Sequence, residues 1–334
     1  MKFAVGYQLC QDKSFLDNII QRKESVSEVY FSWGGFPNGR NNQLRNSSMT
    51  PWESQAKQIS DLEGLTKEGI ALNLLLNATC YGKDSQSRAF FEKVGECVDF
   101  IQNKYILNSV TTTSPLIAKF IKENFKGIDV RASVNMCIGT IEGMEYVAHL
   151  FDSFYLKREL NRNFEAIRKL KKWCDNHGKT LYALANSGCL NNCSAHTFHD
   201  NLVSHESEIS QMDNGYSFKG ICHSFLSEGE NIKKIADYTG FIRPEDIYLY
   251  EELFPAMKLA TRVNQDPVKI LRAYIDDKKF IGSTLSLLEP NHTGIIAPYL
   301  LENSLIKAVV TENSLKYNIE NALIKLKEDV YVNE

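Results

Sequence analysis

Eight short apolar runs, each followed by a stretch of helical periodicity, set the tightest limit on what this chain can become. The runs are Phe3-Ala-Val, Glu28-Val-Tyr-Phe, Ala71-Leu-Asn-Leu-Leu-Leu, Ile106-Leu-Asn-Ser-Val, Val130-Arg-Ala-Ser-Val, Ser153-Phe-Tyr-Leu, Leu181-Tyr-Ala-Leu-Ala and Met257-Lys-Leu-Ala. Helix-start signals stand between them: Thr50-Pro51 with Glu53 forms a capping box, Ser114-Pro115 opens a helix through Phe125, and Asp266-Pro267 opens another near the end. Strands that alternate with helices pair in parallel, and eight such units imply a (β/α)8 TIM-type barrel. The expectation is one barrel over residues 1–265, including a long cysteine-bearing insertion at 187–255 after the seventh strand. A C-terminal helical extension over 266–334, with helix-like stretches such as Leu315 to Lys327, is expected to pack on it without contributing chemistry.

Composition narrows the function classes. A chain of 334 residues, 43% hydrophobic and 24% charged, can bury one large core, and its formal net charge of −3 lacks the basic footprint that dominates nucleic-acid affinity. The N-terminus shows no charged leader with an apolar core, and no run approaches about 18 apolar residues, so a soluble cytoplasmic protein with no membrane partner is expected. Eight cysteines are too dilute for a disulfide scaffold and read instead as core residues, metal ligands or catalytic thiols.

Barrel active sites form where strands end, so the residues after each strand are informative. These are Gln8 with Cys10, Trp33 with Arg40, Asn77 with Cys80, Thr111, Asn135 with Cys137, Arg158 with Glu159, Asn186 with Cys189, and Lys258 with Arg262. Arg40 follows three glycines that would let backbone approach an anion. Cys97 and Cys174 fall on apolar helix faces and are expected to be plain core. Cys189, Cys193 and Cys222, with His196, His199, His205 and His223 nearby, form the densest group of metal-ligand side chains. Thiolates at this spacing select zinc or an iron-sulfur centre. Zinc would draw a fourth ligand from His196, His199 or His223, and a cluster from Cys10, Cys80 or Cys137. His196, His199 and His205, with Asp200, suit a proton relay.

Three separated segments carry a resemblance. Leu156-Lys-Arg-Glu-Leu-Asn161 is similar to the L-x-R-E-L signature of the collagenase-like peptidase family, Asn186-Ser-Gly-Cys189 to its SGxC turn, and Met257-Lys-Leu-Ala-Thr-Arg262 to its closing K-I-E-G-R strand. Phe241-Ile-Arg-Pro-Glu-Asp246 sits where that family introduces the last strand. The order matches over roughly residues 1 to 280. The resemblance implies a barrel, a four-iron, four-sulfur (4Fe-4S) cluster on four cysteines, and oxygen-independent hydroxylation of RNA bases or ubiquinone precursors. Ligand roles carry over to Cys189, Cys193 and Cys222. Leu184-Ala-Asn replaces the usual HGxxC, and Ala260 and Thr261 replace the glutamate and glycine of the closing motif.

The leading expectation is a cluster-dependent enzyme, a hydroxylase or oxidoreductase acting on a small molecule, peptide or RNA. Arg158, Glu159, His199, Lys258 and Arg262 are its candidate catalytic residues. The alternatives are a peptidase or amidase, with Cys189 and His199 as nucleophile and base, a cluster-bearing electron-transfer protein working with a homologous partner, and a barrel with structural zinc. Neither H-E-x-x-H nor G-x-S-x-G occurs.

Overall fold

The computed structural model describes residues 1–10, 13–39, 49–213, 215–216, 218, 220–228, 230–292 and 299–325. Arg40 lies outside them. All eight apolar runs are strands: β1 Lys2–Gly6, β2 Val26–Ser32, β3 Leu72–Leu76, β4 Leu107–Thr112, β5 Asp129–Ala132, β6 Ser153–Tyr155, β7 Thr180–Leu184 and β8 Ala256–Leu259. They pair in parallel in chain order and close as a barrel, with Lys2 to Val5 of β1 in register with Ala256 to Leu259 of β8. A hydroxyl straps that seam: Thr261 Oγ1 accepts from the Gly6 amide at 2.9 Å and donates to the Gly6 carbonyl at 2.8 Å.

Helices α1 Ser14–Gln21, α2 Pro51–Lys67, α3 Arg88–Lys104, α4 Pro115–Asn124, α5 Ile141–Val147 and α6 Phe164–Asn176 follow the first six strands. The capping box of α2 forms as its sequence requires, with Thr50 accepting from the Glu53 amide and the Glu53 carboxylate from the Thr50 amide. Ser114 caps α4 by accepting from the Ile117 amide. Cys97 on α3 and Cys174 on α6 are buried in the apolar core, where burial pushes both thiols up to about 12.

Strand periodicity divides the barrel into two environments. Phe3, Val5, Val29, Phe31, Leu72, Leu74, Val110, Val130, Phe154 and Met257 point outward and join the helices in one core cluster. Residues one position away point into the lumen, and many are polar. The buried Glu28 carboxylate accepts from Arg131 Nη1 at 2.6 Å, Asn73 Nδ2 at 2.9 Å and Ser109 Oγ at 3.1 Å. Arg131, 1% exposed, also donates to Asp129 at 2.7 Å and lies 4.0 Å over the Tyr182 ring. A barrel lumen is ordinarily filled by branched aliphatics. Here a hydrogen-bonded ion pair fills it.

The connection after β7 carries α7 His196–Ser204, α8 Glu206–Ile209 and α9 Ile221–Ser227. Its two stems meet through a bridge between Leu190 and Thr239. After β8 come α10 Pro267–Leu271, a π-helical turn, and two antiparallel pairs: β9 Tyr299–Leu301 with β12 Leu323–Lys325, and β10 Lys307–Val310 with β11 Leu315–Asn318. The helical extension is therefore corrected. Leu315, Tyr317 and Ile319 are buried while Lys316 and Asn318 are exposed, a period of two that makes the stretch from Leu315 strand rather than helix. Among the described residues no helix is long and apolar enough to cross a membrane.

Candidate active site

At the C-terminal end of the barrel a cavity of about 60 Å³ is lined by residues that include Tyr30, Arg158, Cys189, Lys258, Arg262 and Glu289. Lys258 reaches it from within the lumen, its Nζ 4.0 Å from the Tyr30 ring centre and 4.9 Å from that of Tyr155. Burial first, then the positive charge of Arg262, pushes its pKa down to about 7; Arg131 adds to this, while Glu28 and Glu289 oppose it. Arg158, in the turn after β6, donates through Nη1 to His196 Nε2 at 2.8 Å and through Nη2 to Asn135 Oδ1 at 2.6 Å. Its planar fork is thus held by two elements. Glu159 turns the other way and does not pair with it.

The cysteine-bearing turn is fixed by its first three residues. The Asn186 side chain donates to the carbonyls of Ala260 and Leu287, both at 2.8 Å, and accepts from the Ala260 amide at 2.7 Å. Gly188 then passes so close to the next layer that a Cβ would stand 2.0 Å from the Pro290 carbonyl oxygen, so glycine is required by contact. Between Cys189 and Cys193, Asn192 adopts a left-handed conformation (φ +54°) and gives its amide to Glu159 Oε1 at 3.0 Å. Glu159 therefore clamps the turn. Cys222 sits on α9, where burial pushes its thiol up and the neighbouring Cys189 and Cys193 push it further. The three thiols share one locale. Among the described residues, however, no three His, Cys, Asp or Glu side chains converge tightly enough to grip a single metal ion.

The three candidates for a fourth ligand each have a separate neighbour. Cys10 Sγ donates to Gln8 Oε1 at 3.7 Å. Cys137 Sγ lies 3.6 Å from His196 Nδ1, and burial pushes its thiol up while Arg158 opposes that. The hydrogen bond between Cys80 and His205 draws the Cys80 thiol down, and His205 Nδ1 is itself 3.1 Å from Glu208 Oε2. A lowered thiol carries more thiolate at neutral pH. Cys80 is expected to react with iodoacetamide at least about tenfold faster than Cys97 or Cys174, and His205→Ala to slow it; peptide mapping after brief labelling measures both.

His199 packs edge-on against Phe218, 5.9 Å between ring centres, so α7 presents His196 rather than His199 to Arg158 and Cys137. The structure brings Arg158, Lys258, Arg262 and Cys189 to one cavity and leaves Glu159 and His199 to neighbouring contacts. Sequence reasoning missed Tyr30, which lay inside an apolar run, and Glu289, which lies in the segment expected to carry no chemistry. The backbone of Glu289 bridges to Ser187, the residue lines the cavity, and its carboxylate accepts from the Val263 amide at 3.3 Å.

No family model matches the chain. A curated relative, the uncharacterized protease MJ1657 of Methanocaldococcus jannaschii, is 25% identical over 278 residues, which span 80% of this chain and 76% of that protein. Among solved structures, the U32 peptidase Mk0906 is similar with a TM-score of 0.53 at 14% identity, covering 77% of this chain and 91% of that one. The second likeness is one of fold.

Proposed function

We propose that this chain is a barrel enzyme of the U32, collagenase-like peptidase family whose active site is the barrel mouth, served by a 4Fe-4S cluster on Cys189, Cys193 and Cys222. The family part is supported by the protease relative and by the U32 peptidase fold, which agree with the three sequence segments. The observation that carries the site is that Cys189, from the clamped turn, stands on the wall of the cavity that also holds Arg158, Lys258 and Arg262.

The donor set suits a cluster better than zinc. Bonds of about 2.3 Å to one tetrahedral zinc bring thiolate sulfurs to within about 3.8 Å of one another, whereas a four-iron core accepts thiolates standing farther apart. The three thiols influence one another electrostatically without converging on one point. When bound, a cluster would supply an electron relay or a Lewis-acidic iron at the mouth. The chain's own residues do the rest. Arg158, with its guanidinium oriented by His196 and Asn135, offers a positioned charge for a carboxylate or phosphate, and Arg262 adds a second. The reaction class is hydroxylation or a related redox modification of a small molecule, peptide or RNA.

The test is anaerobic purification followed by iron, acid-labile sulfide and zinc quantification. About four irons and four sulfides per chain are expected in the wild type, with loss of most of both in Cys189→Ser at unchanged folding by circular dichroism. One zinc without sulfide, or equal metal in the variant, would overturn the assignment.

A thiol peptidase is the second reading, favoured by Cys137, His196 and Asp200, with His196 Nε2 3.2 Å from Asp200 Oδ2. Its weakness is protonic. Arg158 donates to Nε2, which leaves the imidazole proton on Nδ1, facing a half-buried thiol that it would have to deprotonate.

A further inference from the structure

Lys258 is placed as a nucleophile more than as an anchor. Its Nζ lies against the faces of Tyr30 and Tyr155, and no carboxylate of the described residues stands within salt-bridge distance of it. The charged groups around it come from four directions: Glu28 on β2, Arg131 on β5, Arg262 after β8 and Glu289 from the C-terminal segment. Its side chain nevertheless lines the cavity, beside Arg158 and Arg262.

We infer that Lys258 is a carbonyl-trapping amine, which condenses with the aldehyde or ketone group of a small anionic substrate, a 2-oxo acid in chemical class, whose carboxylate lies against Arg158 and Arg262. The nitrogen lone pair attacks the carbonyl carbon. The carbonyl oxygen then leaves as water, taking one amine proton and one proton from solvent, and an iminium joins Lys258 to the substrate carbon. No electrons are gained or lost overall. The tyrosine faces that flank the ammonium would flank the iminium, a cation of the same charge. Burial and the positive charges of Arg262 and Arg131 favour the neutral amine near neutral pH, as the step requires. The inference rests on the mouth being a substrate site and is independent of the cluster.

The test treats the whole protein, purified anaerobically, with glyoxylate and sodium cyanoborohydride at about pH 7, followed by peptide mapping. Lys258 is expected to carry the reduced adduct at least about tenfold faster than the exposed Lys126 and Lys316. Propionaldehyde, which lacks the carboxylate, is expected to label Lys258 at least about fivefold more slowly than glyoxylate does. Labelling of Lys258 no faster than the exposed lysines overturns the amine's role, and equal labelling by both probes overturns the anionic substrate class. Both readouts come from the wild type, so neither depends on a Lys258→Met variant folding. Iron and sulfide counts on the same samples report separately on the cluster. A labelled Lys258 in protein without iron sustains this inference and sinks the cluster.

Discussion

Arg131→Met is expected to destabilise the protein by about 3–5 kcal/mol, the cost of leaving a buried carboxylate without its partner. Glu28 and Arg131 face each other across the lumen at 2.6 Å, 1% and 5% exposed for the Arg131 and Glu28 side chains. Burial alone would push the Glu28 carboxyl up, yet Arg131 and the hydrogen bonds from Asn73, Arg131 and Ser109 hold it below the usual carboxylate range. A depressed folded value means that Glu28 contributes stability above its unfolded pKa, lost as pH falls through the folded one. Urea unfolding at neutral pH gives the size of the loss. Glu28→Leu combined with Arg131→Met is expected to recover much of it, because the fully buried carboxylate goes with its partner, while Asp129, which also loses Arg131, is partly exposed and keeps its hydrogen bond from Ser153. A double variant as weak as the single one would show that the pair is not the cause.

Lys258→Met is expected to remove a rise of stability with pH over the alkaline range. With a folded pKa lowered to about 7, Lys258 binds fewer protons in the folded than in the unfolded chain between that value and the ordinary lysine value of about 10.4. Wild-type stability should therefore rise with pH across this window, by at most about 1.4 kcal/mol per pH unit for one proton. Below about pH 7 the lysine is charged in both states, so this slope vanishes and the cost of burying the ammonium is present in full. Replacing it with an apolar side chain of similar length removes both the cost and the slope. Urea midpoints for the two proteins measured in parallel across the window check this, and identical slopes would refute it.

The barrel was legible because its signals are local. Apolar runs of three to six residues, Ser-Pro and Asp-Pro helix starts and a capping box need no knowledge of distant contacts, and all of them appear as strands and caps. The polar lumen was less legible. Glu28, Asn73, Ser109, Arg131 and Lys258 sit inside the runs read as apolar, and only the period-two assignment of faces shows that they converge. Leu315-Lys-Tyr-Asn-Ile went wrong for the same reason, its alternation being taken for helix. The site shows a second limit. Arg158 and Glu159 are adjacent and were both candidates for the site, but consecutive side chains diverge, one to His196 and one to Asn192. His196 and Asp200 are one helical turn apart on α7, whereas His199 points elsewhere, and that distinction depends on where the helix starts. The Cys80 and His205 contact links residues far apart in the chain, which no local pattern reveals.

The strap between Gly6 and Thr261 joins positions 255 residues apart, and the Glu28 and Arg131 pair spans 103. Contacts of such separation bear the largest loop-closure entropy and are worth least until most of the chain has already assembled. They are expected to close after the rate-limiting step, in which case weakening them speeds escape from the native state and leaves the rate of reaching it nearly unchanged, a split that folding and unfolding rates of Thr261→Val would show. The lumen pair and the seam thus set how long each folded molecule lasts rather than how quickly it forms.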